Sequence, residues 1–215
     1  MKYETKKQLN MKLIVNPFLI CFLLLSGCCI KEQNKAKRLY NKALIMTSFN
    51  PDTARVMQAL ELLNKATDMQ PDYYIAYDYK LLIQSQLGFT DDAFSTLKIM
   101  ELLKPENPDL KTMLGAYYEY HKGDTMQAKV KYNEADLLYK SIIDDIISDS
   151  CKYESIIMGY TLNLKMLGKE TEANRILYDY YGEDVKEFIE PFVIKKTKEE
   201  VLIRKYFTPD GSIFW

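Results

Sequence analysis

With 215 residues, 47% of them apolar, and only eight glycines and seven prolines, the chain can bury a sizeable core in one folded domain. Its 29 basic and 30 acidic residues give a net charge of −1, which lacks the basic excess that a nucleic-acid partner requires. The four cysteines show no spacing of a disulfide framework.

At the N-terminus, Lys2, Lys6, Lys7 and Lys12 precede the apolar run Leu13 to Leu25. That run has the length of a signal-peptide core and is short for a transmembrane helix; Met11 is a second candidate start. It ends in Leu25-Ser26-Gly27-Cys28, which resembles the bacterial lipobox. The resemblance implies that residues 1–27 are a lipoprotein signal peptide and that Cys28 accepts a diacylglyceryl group before cleavage on its amino side. Residues 28–34 are then a tether, and more than one acyl chain gives stable anchoring. An uncleaved anchor ending in Cys is the competing reading. In enterobacteria an Asp after the lipidated cysteine retains a protein in the inner membrane; here Cys29 follows, so the outer membrane is expected. With Glu32 the sole acid nearby, a periplasm-facing position is expected over surface exposure.

From Tyr40 to Tyr181 the residues recur. Ala59, Leu63, Ala66 and Pro71 return as Ala93, Leu97, Met100 and Pro105, a period of 34 with helical texture and no strand signal. Leu87-Gly88 stands five residues before Ala93, Lys122-Gly123 five before Ala128, and Leu167-Gly168 five before Ala173. Glycine there supplies a left-handed helix cap, and Asp91, Asp92 and Asp124 follow where a helix N-terminus favours negative charge. Pro71 and Pro105 end the helices before them, with Asp72 and Asn107 as nearby caps for the next.

On these residues the chain resembles the tetratricopeptide repeat family. The resemblance implies an all-α, right-handed solenoid of about four helix-turn-helix repeats over residues 35–181. The repeats run from Tyr40 to Tyr73, Tyr74 to Asn107, Pro108 to about Tyr139, and about Glu154 onward. Repeat one has Ala54 in place of the turn glycine, repeat two has Met100 at a usually small position, and repeat three carries an extra residue before Gly123 and no closing proline.

Ala128 to Ala173 spans 45 residues, which exceeds the 34-residue period and makes Leu137 to Ile147 an expected extension of the second helix of repeat three. The extension either packs on repeat four or projects as a docking surface. Cys151, after Ser148-Asp149-Ser150, is either a small buried hydrophobe or a thiol activated by a helix N-terminus. Residues 182–215 should cap the array, with amphipathic segments over 183–196 and 198–207. The apolar tail Ser212-Ile213-Phe214-Trp215 lies either on that cap or in the groove.

No catalytic constellation can be assembled, so no enzyme, metal or cofactor is expected. His121 stands at a helix C-terminus beside Lys122, where the dipole favours a cation, so a structural role is expected over that of a general base. Asp91-Asp92 and Asp144-Asp145 are sequence neighbours, which diverge on a helix. Phosphate loops, nucleophile elbows and metal-ligand spacings are missing from the sequence.

Binding is the expected role. In tetratricopeptide arrays the first helices line a concave groove, and the resemblance puts groove positions at Asp78, Tyr79, Leu82 and Gln86, then Thr112, Met113, Ala116 and Tyr120. Tyrosine suits peptide recognition because it offers a large contact area at small entropy cost. Tyr77, Tyr118 and Tyr132 fall at packing positions instead. The family's carboxylate clamp would need Lys, Asn or Arg where this chain has Leu44, Ser48, Tyr79, Asp109 and Met113, so a chain-terminal carboxylate is not the expected ligand. The function expected is a protein-protein interaction scaffold in the bacterial envelope, accessory to an assembly or transport complex. Capture of a small ligand or carbohydrate between the helices is the alternative.

Overall fold

The computed structural model describes residues 33–48, 51–145 and 150–182, and among them every regular element is an α-helix. Helix α1 covers residues 33–47. It is followed by α2 (Thr53–Met69), α3 (Tyr74–Gln86), α4 (Thr90–Leu103), α5 (Pro108–His121), α6 (Thr125–Asp145), α7 (Ser150–Met166) and α8 (Glu170–Tyr181). The leader at 1–27, the segments at 183–196 and 198–207, and the Trp215 tail lie outside the described residues. The expected tether overlaps the start of α1.

Local chemistry accounts for where the helices begin and end. Asp52 caps α2 by accepting from the Arg55 amide at 2.8 Å, and Asn107 caps α5 by accepting from Asp109 N at 2.9 Å, with Pro108 in the first helical position. Asp124 does the same for α6, accepting from Gln127 N at 2.9 Å. Asp72 differs from the expectation. Tyr73 occupies the N-cap of α3 and gives no side-chain bond, and Asp72 contributes its carbonyl to Tyr74 N.

Three turns are built alike around a glycine. The α3–α4, α5–α6 and α7–α8 connections are each three residues long and contain Gly88, Gly123 and Gly168, with φ of 71°, 65° and 74°. After α3 and α7 the chain closes with a bond spanning five residues, from Phe89 N to Gln84 O and from Lys169 N to Leu164 O, both 2.8 Å. After α5 the bond from Asp124 N reaches Tyr118 O, six residues back, at 2.9 Å. The extra residue legible before Gly123 is absorbed there.

Such short turns return each helix along its predecessor, and each packs mainly on its neighbours in the chain, α5 against α6 most extensively. The core is accordingly a succession of clusters. Ala36, Ala43, Leu63 and Ile83 join α1 to α3; Tyr77, Leu97, Met100 and Leu114 join α3 to α5. Ala116, Tyr132 and Met166 join α5 to α7, and Tyr139, Tyr160, Leu164 and Ala173 join α6 to α8. Ala59, Ala93, Ala128 and Ala173, one on each second helix, are all buried, which lets the paired helices approach closely.

The fourth pair begins earlier than the period predicts, at Ser150 in place of about Glu154, and α6 extends to Asp145, making it the longest of these helices at 21 residues. Two glycines let this part pack tightly. A Cβ on Gly115 would lie 2.6 Å from Cδ1 of Tyr132, and one on Gly159 would lie 2.6 Å from both Asp109 Oδ1 and Tyr139 Oη. Those two oxygens are themselves hydrogen-bonded, the phenol donating to the carboxylate at 2.5 Å.

Candidate functional site

The α3 residues Asp78, Leu82 and Gln86 recur every four positions and so share one stripe of that helix, with Tyr79 beside them. Leu82 and Gln86 are half-buried and Asp78 is solvent-exposed. Protein atoms nevertheless crowd Asp78, and this partial desolvation raises its carboxyl pKa, while Lys104 pulls it back down. The same corner holds Tyr74, whose hydroxyl pKa is pushed up to about 12, first by burial and then by Asp78, with a hydrogen bond to Asn107 opposing. Lys104 places its ammonium 3.9 Å from the Tyr74 ring centroid. A carboxylate with solvent access, set in a partly desolvated wall beside an aromatic ring and an amide, can receive a cationic or hydrogen-bond-donating group.

Tyr79 turns toward α1. Its hydroxyl is hydrogen-bonded to that of Thr47, and its ring stands edge-on to Tyr40 with centroids 6.1 Å apart. Tyr40 also meets Tyr73 edge-on at 5.6 Å, so an aromatic cluster seals α1 to the rest.

On α5 the four candidates separate. Thr112 and Ala116 are 0% exposed. The Thr112 hydroxyl lies 3.2 Å from the Pro108 carbonyl and 3.2 Å from Asn163 Oδ1 on α7, and Asn163 Nδ2 donates to the Tyr132 carbonyl at 2.9 Å. Ala116 sits in the cluster with Ala128, Tyr132 and Met166. In this arrangement both belong to the seam between α5 and α7, and surface on α5 is left to Met113 and Tyr120, each part-buried.

Two polar clusters joining distant helices were not legible as sites. Glu101 on α4 accepts from Lys111 on α5 at 2.6 Å and from Lys131 on α6 at 2.7 Å, and Lys131 also pairs with Glu134 at 2.9 Å. Burial works to raise the Glu101 pKa, but the two ammonium groups outweigh it and hold the carboxyl below its usual range. The buried Asp136 behaves alike: burial raises its pKa, while bonds from Lys169, Lys140 and Tyr160 lower it by more. A third group links the α3–α4 and α5–α6 turns. Lys122 donates to Asp91 at 2.7 Å, Tyr117 donates to the same oxygen at 3.1 Å, and Phe94 stacks on Tyr117 with centroids 4.1 Å apart. His121 lies 4.9 Å from the Tyr117 ring, its pKa lowered by burial and by Lys122.

A half-open depression of about 220 Å³ is lined by residues including Glu119, Lys129, Tyr132 and Met166. It is smaller than the roughly 300–1,000 Å³ of typical small-molecule pockets. Among the described residues no group of three His, Cys, Asp or Glu side chains is arranged to hold a metal ion. Nor is any helix there long and apolar enough to cross a membrane. Neither the protein-family models nor the curated proteins match this chain.

Proposed function

We propose that this chain is a lipid-anchored tetratricopeptide-like solenoid, about four helix pairs with a C-terminal helical cap, that holds an envelope protein or peptide against its first helices. Its anchor is Cys28, its place the periplasmic face of a bacterial outer membrane, and its role accessory to an assembly or transport complex. It works by binding and positioning, with no catalytic step.

The observation that supports this reading best is the regularity of the turns. Three connections of three residues each close on a left-handed glycine, and each is followed five residues later by a buried alanine. That local chemistry builds one repeating unit, and units that cannot bury their apolar faces alone stack into an extended surface suited to a peptide. Along α3 the surface offers Asp78, Leu82 and Gln86 in register, a charge, an aliphatic contact and an amide. A partner segment carrying a basic and an apolar residue about one helical turn apart would match them.

In-cell crosslinking of the tagged protein followed by mass spectrometry tests the proposal, with Cys28→Ser as the untethered control. A few envelope proteins recovered from the tethered form alone are the expected result. Recovery of no stoichiometric protein partner would overturn the scaffold reading.

A further inference from the structure

A stripe of exposed apolar side chains runs along α6. Met126 and Leu137 are 80% and 70% exposed, and Val130 is close to half exposed. At 100° per residue these three positions lie within about 40° of one another, and they run for about 16 Å along the helix. Lys129 and Lys140, both exposed, flank this stripe on the same side, about 40–60° from Met126. The exposed positions of α6 from Thr125 to Ser141 include no carboxylate. Glu134, at its other edge, pairs with Lys131 at 2.9 Å and Lys111 at 3.4 Å. Alongside runs α4, joined to α6 by the Glu101–Lys131 pair. One residue from that pair on α4 stands Leu102, 81% exposed, with exposed Ile99 and Lys98 a turn before it.

Exposed apolar side chains bordered by Lys129 and by Lys140, which also bonds the buried Asp136 at 3.0 Å, with no exposed acid among them, match the interface of an anionic bilayer: acyl chains receive the apolar groups and headgroup phosphates receive the ammonium groups. A second copy of the same face would bring Lys129 and Lys140 against their own kind. The five residues from Cys28 to the start of α1 span at most about 18 Å, so a lipid-anchored domain stays within reach of the headgroups.

We infer that Met126, Val130 and Leu137 on α6, with Leu102 on α4, form a membrane-contact face that seats the domain on an anionic lipid surface. The inference rests on the lipid-anchor reading for proximity. The first helices then stay open to a partner.

The test uses the full chain in vesicles of phosphatidylglycerol and phosphatidylethanolamine with brominated acyl chains, and tryptophan as the depth reporter. Trp215→Phe removes the native tryptophan, and Leu137→Trp or Val130→Trp places one on the face; Ile75→Trp on α3 is the control, and circular dichroism checks that each variant folds. The face reporters should be quenched in anionic vesicles and the control should not. The ratio of quenched to unquenched reporter should fall about fivefold for Lys129→Gln and by less for Lys140→Gln, because Lys140 shares its charge with Asp136. Intact mass reports separately whether Cys28 carries lipid. A lipidated protein in which neither the Leu137→Trp nor the Val130→Trp reporter is quenched overturns the inference and leaves the anchor reading standing. Quenching without lipid on Cys28 supports the face and removes the anchor. Capture of a soluble acidic protein by α6, with no quenching by brominated lipid, also overturns it.

Discussion

Gly115→Ala sets helix propensity against packing, and the two give opposite signs. In a helix interior alanine is favoured over glycine by about 0.8–1.0 kcal/mol, so the change should stabilise α5 if nothing stood near. Tyr132 stands there: the new Cβ would fall 2.6 Å from Cδ1 and 3.0 Å from Cζ of its ring. The ring has little room to retreat, since the residue is buried, its hydroxyl donates to Glu119 at 2.9 Å, and its carbonyl accepts from Asn163. Overpacking of this kind costs about 1–3 kcal/mol, and displacing a hydrogen bond to a carboxylate costs a further 1.5–3 kcal/mol or so, about as much again. After subtracting the propensity gain, the net loss is about 1.5–5 kcal/mol. Thermal unfolding followed by circular dichroism should show a midpoint lowered by at least about 3 °C for a domain of this size. In a Tyr132→Leu background the cost of Gly115→Ala should shrink, because contacting sites are not additive. A Gly115→Ala protein as stable as the parent would refute the packing argument.

Gly88→Ala has no neighbour within 4 Å of the new Cβ but forces alanine to φ 71°. It should cost about 1–2 kcal/mol, with Gly88→Asn less damaging, both read by urea unfolding. Glu101→Gln leaves the Lys111 and Lys131 ammonium groups without their carboxylate and should cost about 2 kcal/mol, less than a fully buried pair because Glu134 remains. Glu101 and Asp136 both titrate below their ordinary values of 4.5 and 3.8, so their stabilisation is complete above those values and is lost as pH falls through the folded pKa. Unfolding free energy measured against pH should therefore drop on the acid side of about 4, and Glu101→Gln with Asp136→Asn should flatten that drop. Asp78 carries the opposite sign: its raised pKa means that folding disfavours the charge, so Asp78→Asn should leave stability unchanged or higher while weakening partner capture.

What was legible in the sequence was what neighbouring residues decide. Gly88, Gly123 and Gly168 mark left-handed caps because no other residue reaches that backbone conformation cheaply, and the caps phase the helices that follow. The extension of α6 was visible as apolar pairs at helical spacing. Boundaries differ where counting by period replaces local chemistry: Ser150 starts α7 ahead of the phase counted back from Ala173, and α1 begins at 33, before Tyr40. The clusters around Glu101, Asp136 and Asp91 are joined by bonds between residues 10 to 33 positions apart in sequence, a pairing that only the packed helices define. The seat of Thr112 and Ala116 was hidden for a related reason. Their burial depends on Asn163 and Met166, side chains of the next helix pair. Tyr79, a packing residue toward Thr47 and Tyr40, shows that a tyrosine at an expected groove position has two possible uses that spacing alone does not separate.

A partner held against the first helices, as proposed, must come within crosslinking distance of their exposed side chains. A photo-crosslinking amino acid placed singly at Leu82, Gln86 or Tyr120 in the tethered protein, with Lys65 on the exposed side of α2 as reference, tests it most directly. Discrete adducts of the same partner from the three proposed groove positions, and none from Lys65, are the expected result. Adducts confined to Lys65, or none at the three groove positions in cells where the protein is folded and anchored, would contradict it.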